Sequence, residues 1–224
     1  MIISLTSIPP RFLQLGPVLW ALAHQSAAAV WLWIPENYDR FPDWDGSPPD
    51  VPDGITLRRC ATDFGPATKT IPTLQNVPDD ARVLICDDDV IYGPDWAAGF
   101  QGAARRHPDD AIAASTFPVK RLGVAASPSD VIAQGFAGIC LAGNMIPMRT
   151  IKDRDKWVDD IWVSAMIAAS GTRIRTAPYL RSLSSPIDAP ASLQDAEIGN
   201  QTRADANRQS AIALAQELGI WGAA

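Results

Sequence analysis

Histidine and cysteine are scarce in this chain of 224 residues, with two and three copies. Cys60, Cys86 and Cys140 are odd in number and widely spaced, and they contain no Cys-x-x-Cys pair. That argues against a disulfide framework and against a zinc-thiolate site. Buried thiols in a reducing, cytoplasmic setting are expected instead. Basic residues are in deficit as well: 19 Lys and Arg against 25 Asp and Glu leave a net charge of −6. With no basic stripe to neutralise a phosphate backbone, a nucleic-acid partner is not expected, and an anionic small molecule would need a metal ion to help hold it. Long hydrophobic runs are missing too. MIISLTSIPP has no basic segment ahead of its short apolar run, and the apolar stretch from Leu15 to Ile34 is interrupted by Gly16, Pro17, His24, Gln25 and Ser26. Neither a signal peptide nor a membrane span is expected.

What the chain does have is punctuation. Nineteen prolines and fifteen glycines cluster between periodic segments, which suggests working loops on a rigid frame. The length suits one domain over 1–224. IISLT at 2–6 is β-rich and ends in Ser-Ile-Pro-Pro; a helix from Pro17 to about Gln25 follows, then a strand at 30–34. Residues 35–54 form a Pro, Asp and Trp-rich surface loop, after which ITLRR (55–59) resumes the sheet. RVLIC (82–86) has the unbroken apolar character of a central parallel strand. A helix to about Arg106, a strand at 111–115, a polar loop over 116–136, a strand in FAGICLA, a helix in DDIWVSAMIAASG stopped by Gly171, a short strand at 173–177 and a last helix from about Thr202 to Leu218 complete the pattern. Trp221 is expected to dock back on the body. Alternating strands and helices predict an α/β fold with a mostly parallel sheet covered on both faces, and ligands beyond the carboxyl ends of its strands.

The RVLIC strand runs straight into Asp87, Asp88 and Asp89. Carboxylates this close raise one another's pKa unless a cation gathers them, and a hard divalent ion with oxygen ligands is the natural one. A plain solvated turn, with one aspartate capping the next helix, is the other reading.

An Asp-x-Asp motif, Asp87 to Asp89, at a strand end after this βαβ pattern resembles the nucleotide-sugar glycosyltransferases of the GT-A fold, family 2-like members above all. SLTSIPPRF is similar to the first strand and nucleotide loop of that fold, DFGPATK to the loop that reaches base and ribose, and WVDDIWVSAMIAASG to the acidic motif that carries the base in inverting members. The resemblance implies a Rossmann-like nucleotide-binding half over about 1–115 and an acceptor half with the C-terminal helix over about 116–224. It implies Mn²⁺ or Mg²⁺ on Asp89, with Asp87 nearer the ribose or on the metal through water, and Asp88 beside them at the nucleotide. Thr6, Ser7, Ile8 and Arg11 would line the nucleotide pocket, Asp63 would accept from a pyrimidine edge, and Lys69 would meet a phosphate. A surface arginine and a solvated lysine are the plain alternatives for the last two cations.

Asp160, with Asp159 next in line, would be the general base; either could simply cap its helix. Gly135, Phe136, Ala137 and Gly138 would make a small-residue turn at the sugar or acceptor, and Phe136 or Trp162 would stack on a sugar face unless they are core aromatics. The implied donor is a UDP-sugar and the implied acceptor a glycan or other hydroxyl. Two departures shape this. Neither His24 nor His107 lies where some members carry a C-terminal histidine ligand, and the Gln-x-x-Arg-Trp signature of processive synthases is missing, which leaves transfer of a single sugar. A nucleotidyltransferase is disfavoured because SIPPRF lacks the glycines of a triphosphate loop. A non-catalytic sugar- or nucleotide-binding relative stays open.

Overall fold

Alternation along the first strand shows how the fold begins. In β1 (Ile2–Thr6), Ile3 and Leu5 point into one apolar cluster while Ser4 points to the other face. There the Ser4 hydroxyl donates to the Lys69 carbonyl at 2.6 Å and lies 2.6 Å from the Thr73 hydroxyl, so a buried polar strand residue ties down the loop that carries Lys69. The structure is a computed structural model that describes residues 1–191 and 202–222.

β2 (Ala29–Pro35), β3 (Ile55–Cys60), β4 (Arg82–Ile85), β6 (Ala111–Ala113), β9 (Ile139–Ala142) and β10 (Ile174–Thr176) join β1 in a seven-stranded sheet of order β10-β6-β9-β4-β1-β2-β3. All neighbours are parallel except β9, which runs antiparallel to both β4 and β6. The sheet is therefore mostly parallel and flanked by helices. The RVLIC segment is central as expected, but only one of its two partners is parallel. Continuous burial reports coverage on both faces and says nothing of a neighbour's direction.

One face is covered by α1 (Gly16–Ala23) and α3 (Trp96–Arg106), which bring Leu19, Leu22, Trp96 and Phe100 into a cluster with Ile3, Leu5 and Leu32. The other is covered by α2 (Ile71–Gln75), α4 (Asp159–Ala169) and α5 (Arg203–Leu218), whose core includes Leu74, Trp162, Leu214 and the docked Trp221. Thr202 caps α5 by accepting from the Asp205 N–H at 3.2 Å. No helix among the described residues is long and apolar enough to cross a membrane.

Two differences from the sequence pattern matter for the site. The expected loop over 116–136 contains an antiparallel pair, β7 (Thr116–Pro118) with β8 (Val131–Ala133). The residues after the aspartates form β5 (Val90–Tyr92), which pairs with β11 (Ser184–Pro186), and the Ile187 N–H donates to the Asp89 carbonyl at 2.9 Å. The C-terminal segment thus crosses beside the acidic motif. Of the three thiols, Cys86 and Cys140 are buried and free as expected, but Cys60, on an edge strand, is only half-buried.

Candidate active site

The carboxyl ends of β1, β2, β3 and β4 open into a cavity of about 300 Å³. Thr6, Ser7, Ile8, Arg11, Asp63, Lys69, Asp87, Asp88, Asp89, Phe136, Asp159 and Asp160 all line it, so most of the predicted site residues converge in space.

The aspartates are not equivalent. Asp87 Oδ1 lies 2.6 Å from Lys69 Nζ, and its backbone N–H donates to the Tyr92 hydroxyl at 3.0 Å. Tyr92 in turn donates to the Phe136 carbonyl at 2.9 Å, which joins the acidic turn to the strand-end turn facing it. Asp88 is buried and has both oxygens engaged: Ser7 Oγ donates to Oδ2 and Arg11 Nη1 to Oδ1, each at 2.5 Å. Burial raises its pKa against the pull of Arg11 and Ser7. Among the described residues the Asp89 carboxylate is met by Arg11 alone, with Nη1 3.1 Å from Oδ2. Burial first, then repulsion from Asp87 and Asp88, pushes its carboxyl up to about 6.

Lys69 is neither solvated nor free for a phosphate. It is 3% exposed, and its ammonium sits between Asp87 and Asp159, 2.8 Å from Asp159 Oδ2. That second approach is close but poorly aligned as a hydrogen bond. Burial alone would lower the lysine pKa; Asp159, Asp87 and Asp160 outweigh it and hold the ammonium well above its ordinary value. The turn that delivers it needs a glycine. Gly65 takes φ +59°, which suits glycine, and a Cβ there would lie 3.0 Å from the Lys156 carbonyl.

At the start of α4 the two acids divide. Asp159 is 3% exposed and faces Lys69. Asp160 lines the cavity, accepts from the Gly135 N–H through Oδ1 at 2.8 Å, and takes no hydrogen bond on its other oxygen from the described residues. Its carboxyl is raised to about 7, chiefly by burial and then by the Asp159 charge. A carboxylate in that range can take a proton near neutrality.

The expected sugar pocket is corrected in three places. Trp162 is 1% exposed and belongs to the core: Asp159, Asp160 and Ile161 at the start of α4 meet the cavity, and the next residue turns inward to the apolar cluster. Ala137 is fully buried. Gly138 is a glycine for packing: at φ +105°, a Cβ would lie 2.6 Å from Trp96 Cζ2 and 2.9 Å from the Phe100 ring. Gly135 stays at the site without lining it; a Cβ would come within 3.1 Å of Asp160 Oδ1 and 3.2 Å of Lys69 Nζ. Two further expectations are altered in detail. Asp63 accepts from the N–H groups of Gly65 (2.7 Å) and Asp39 (3.0 Å), so it organises its own loop, and the Thr6 hydroxyl donates to the Trp33 carbonyl.

Several cavity residues escaped the sequence: Tyr38, Arg40 and Phe41 from the loop after β2, Phe117 and Gln134 from the β7–β8 pair, Trp157 ahead of α4, and Arg203 and Asn207 from α5. The i, i+4 spacing of Arg203 and Asn207 was a readable signal that they share a helix face. For the others, placement comes only from the tertiary arrangement.

Among the described residues no group of three or more His, Cys, Asp or Glu side chains closes on a point that would hold a metal ion. Asp87 and Asp89 nonetheless offer an all-oxygen pair of the kind a hard cation takes, and two such ligands would leave room for phosphate oxygens and water. The site fits a cation that arrives with its ligand better than a preformed cage.

No protein-family model matches the chain, and no curated protein matches it in sequence. Among solved structures, the mannosyltransferase PcManGT from Pyrobaculum calidifontis, in complex with GDP-Man and Mn²⁺, aligns over 84% of this chain and 56% of its own, with a TM-score of 0.52 at 16% identity. S. aureus TarS residues 1–349 aligns over 96% and 71%, with a TM-score of 0.47 at 8% identity, too distant to argue from. The chain therefore has a GT-A type fold, and it spans a little over half the length of that mannosyltransferase.

Proposed function

We propose that this chain is a glycosyltransferase that moves one sugar from a nucleoside diphosphate sugar to an acceptor hydroxyl, with inversion at the anomeric carbon. The observation that carries the reading is the junction of the two acidic motifs. Asp87 to Asp89 and Asp159 to Asp160 come from distant parts of the chain, meet in one cavity, and are joined through Lys69. The mannosyltransferase solved with GDP-Man and Mn²⁺ supports a nucleotide sugar and a divalent ion. A UDP-sugar is the donor to try first, with GDP-mannose beside it, and a glycan hydroxyl is the acceptor class.

In this reading Asp87 and Asp89 hold the cation and Ser7, Ile8 and Arg11 border the nucleotide. When bound, Mn²⁺ or Mg²⁺ supplies positive charge to the diphosphate leaving group. Asp160 takes the proton from the acceptor oxygen as that oxygen bonds to the anomeric carbon and the bond from that carbon to the phosphate oxygen breaks. Lys69 stays protonated and keeps Asp159 in place, which leaves Asp160 as the base. Its raised carboxyl favours an enzyme over a passive binder.

The test is release of the nucleoside diphosphate from a panel of nucleotide sugars with Mn²⁺, for the native chain and for Asp89→Ala and Asp160→Asn. Release that depends on Asp89, and turnover that depends on Asp160, are expected. A chain that binds a donor but never turns it over with any acceptor would be a binding relative instead.

A further inference from the structure

Arg40 stands in the cavity wall with no ion-pair partner among the described residues. Its guanidinium lies over two rings, with Cζ 5.3 Å from the Phe41 centroid and 5.7 Å from the Trp157 centroid. The rings fix its position and leave its five N–H groups to other partners. Asp63, the carboxylate whose field reaches it, is engaged elsewhere: it accepts from the Asp39 and Gly65 N–H groups, with Lys156 Nζ 3.8 Å away. Lys156 is itself paired with Asp39. Burial, and then the like charge of Arg11, lowers the pKa of Arg40. Arg11 is tied to Asp88, Asp89 and the Pro190 carbonyl, so its charge is answered within the protein while that of Arg40 is not. Arg11, Arg40 and Arg203 all line the cavity, and Arg40, beside the field of Arg11 and without a carboxylate of its own, makes a place that an anion completes. A planar fork held by aromatic faces suits a pair of phosphate oxygens.

The geometry points to Arg40 as a binding residue for a diphosphate, reached from the loop after β2 while Asp87 and Asp89 act from the end of β4. The inference rests on the nucleotide-sugar reading for the identity of the anion. It adds a cationic contact that Lys69, locked between carboxylates, cannot make.

Calorimetry on the native chain, Arg40→Gln and Arg40→Lys separates the two ideas, with UDP and GDP (each with Mn²⁺), uridine and guanosine, and inorganic pyrophosphate as probes. Arg40→Gln should weaken the nucleoside diphosphates and pyrophosphate about tenfold or more, leave the nucleosides unchanged, and keep the native melting temperature; Arg40→Lys should fall between. Equal affinity of native chain and Arg40→Gln for the diphosphates overturns the assignment, as does an equal loss for nucleoside and nucleotide, which would place the base on Arg40. A native chain that binds pyrophosphate through Arg40 but no nucleotide keeps the anion site and removes the donor reading. A native chain that binds neither removes both.

Discussion

Asp159 opens a helix late in the chain, yet its carboxylate lies 2.8 Å from the ammonium of Lys69, which holds Asp87 at 2.6 Å on its other side. Lys69 and Asp159 are both nearly inaccessible, so neither charge has water to fall back on. Taking away the lysine would leave two carboxylates facing each other, and breaking such a buried pair costs about 3–5 kcal/mol. Lys69→Met should therefore lower the melting temperature by roughly 6–20 °C, taking about 2–4 °C per kcal/mol for a chain of this size. Adding Asp159→Asn should recover part of the loss. Differential scanning calorimetry on the two variants decides it; a Lys69→Met chain that melts like the native one would mean that water already screens the pair.

For Asp160 the direction of the pH effect follows from its raised carboxyl, near 7. The folded state holds that proton more tightly than the unfolded chain does. The stabilisation it brings is full below about pH 4 and is lost as pH rises through about 7. Activity should run the other way, rising through that window as the base ionises. Asp160→Asn should lower kcat by about 10²–10⁴ and flatten this limb, with donor affinity kept. A pH–rate profile of both proteins is the check, and unchanged turnover in the variant would remove Asp160 from the chemistry.

Asp89 carries a separate pH dependence, because a proton and a divalent ion compete for its oxygens. With its carboxyl near 6, Mn²⁺ binding in the presence of nucleotide should weaken as pH falls below 6 and level off above it. Asp89→Ala should abolish the metal-dependent part of nucleotide binding at every pH. Titrating Mn²⁺ at pH 5 and pH 7.5, followed by its electron paramagnetic resonance, measures this without relying on turnover.

Two tryptophans five residues apart should behave oppositely. Trp162 is buried in the core, so Trp162→Ala should cost about 3–5 kcal/mol. Trp157 is half-buried and lines the cavity, so Trp157→Ala should leave the melting temperature within a few degrees of native and weaken ligand binding. Melting curves with and without nucleotide sugar distinguish them. A ligand effect from Trp162 alone would reverse the assignment.

Much of the site was legible because its chemistry is written in short contiguous motifs. Three aspartates after an apolar run, two more ahead of a helical pattern, and Ser-Ile-Pro-Pro after the first strand are local signals, and the structure brings all three into one cavity. Trp162 misled because helical periodicity cannot tell a cavity from a core when nearly every position of the helix is apolar. Gly138 misled for a related reason: the residues that demand a glycine there, Trp96 and Phe100, lie about forty residues away in sequence. Arg40 was hidden in a segment whose composition reads only as surface loop.

By itself the amino-acid order determined the alternation of strands and helices, the acidic motif beyond the RVLIC strand, and the side of the sheet on which the cavity opens. These depend on residue type, spacing and short-range sterics. Only the tertiary structure decided that β9 enters the sheet antiparallel, that Lys69 joins two acidic motifs, and that Trp157 rather than Trp162 faces the cavity. Those outcomes turn on which distant groups exclude water from one another, and burial of that kind has no local signature in the chain.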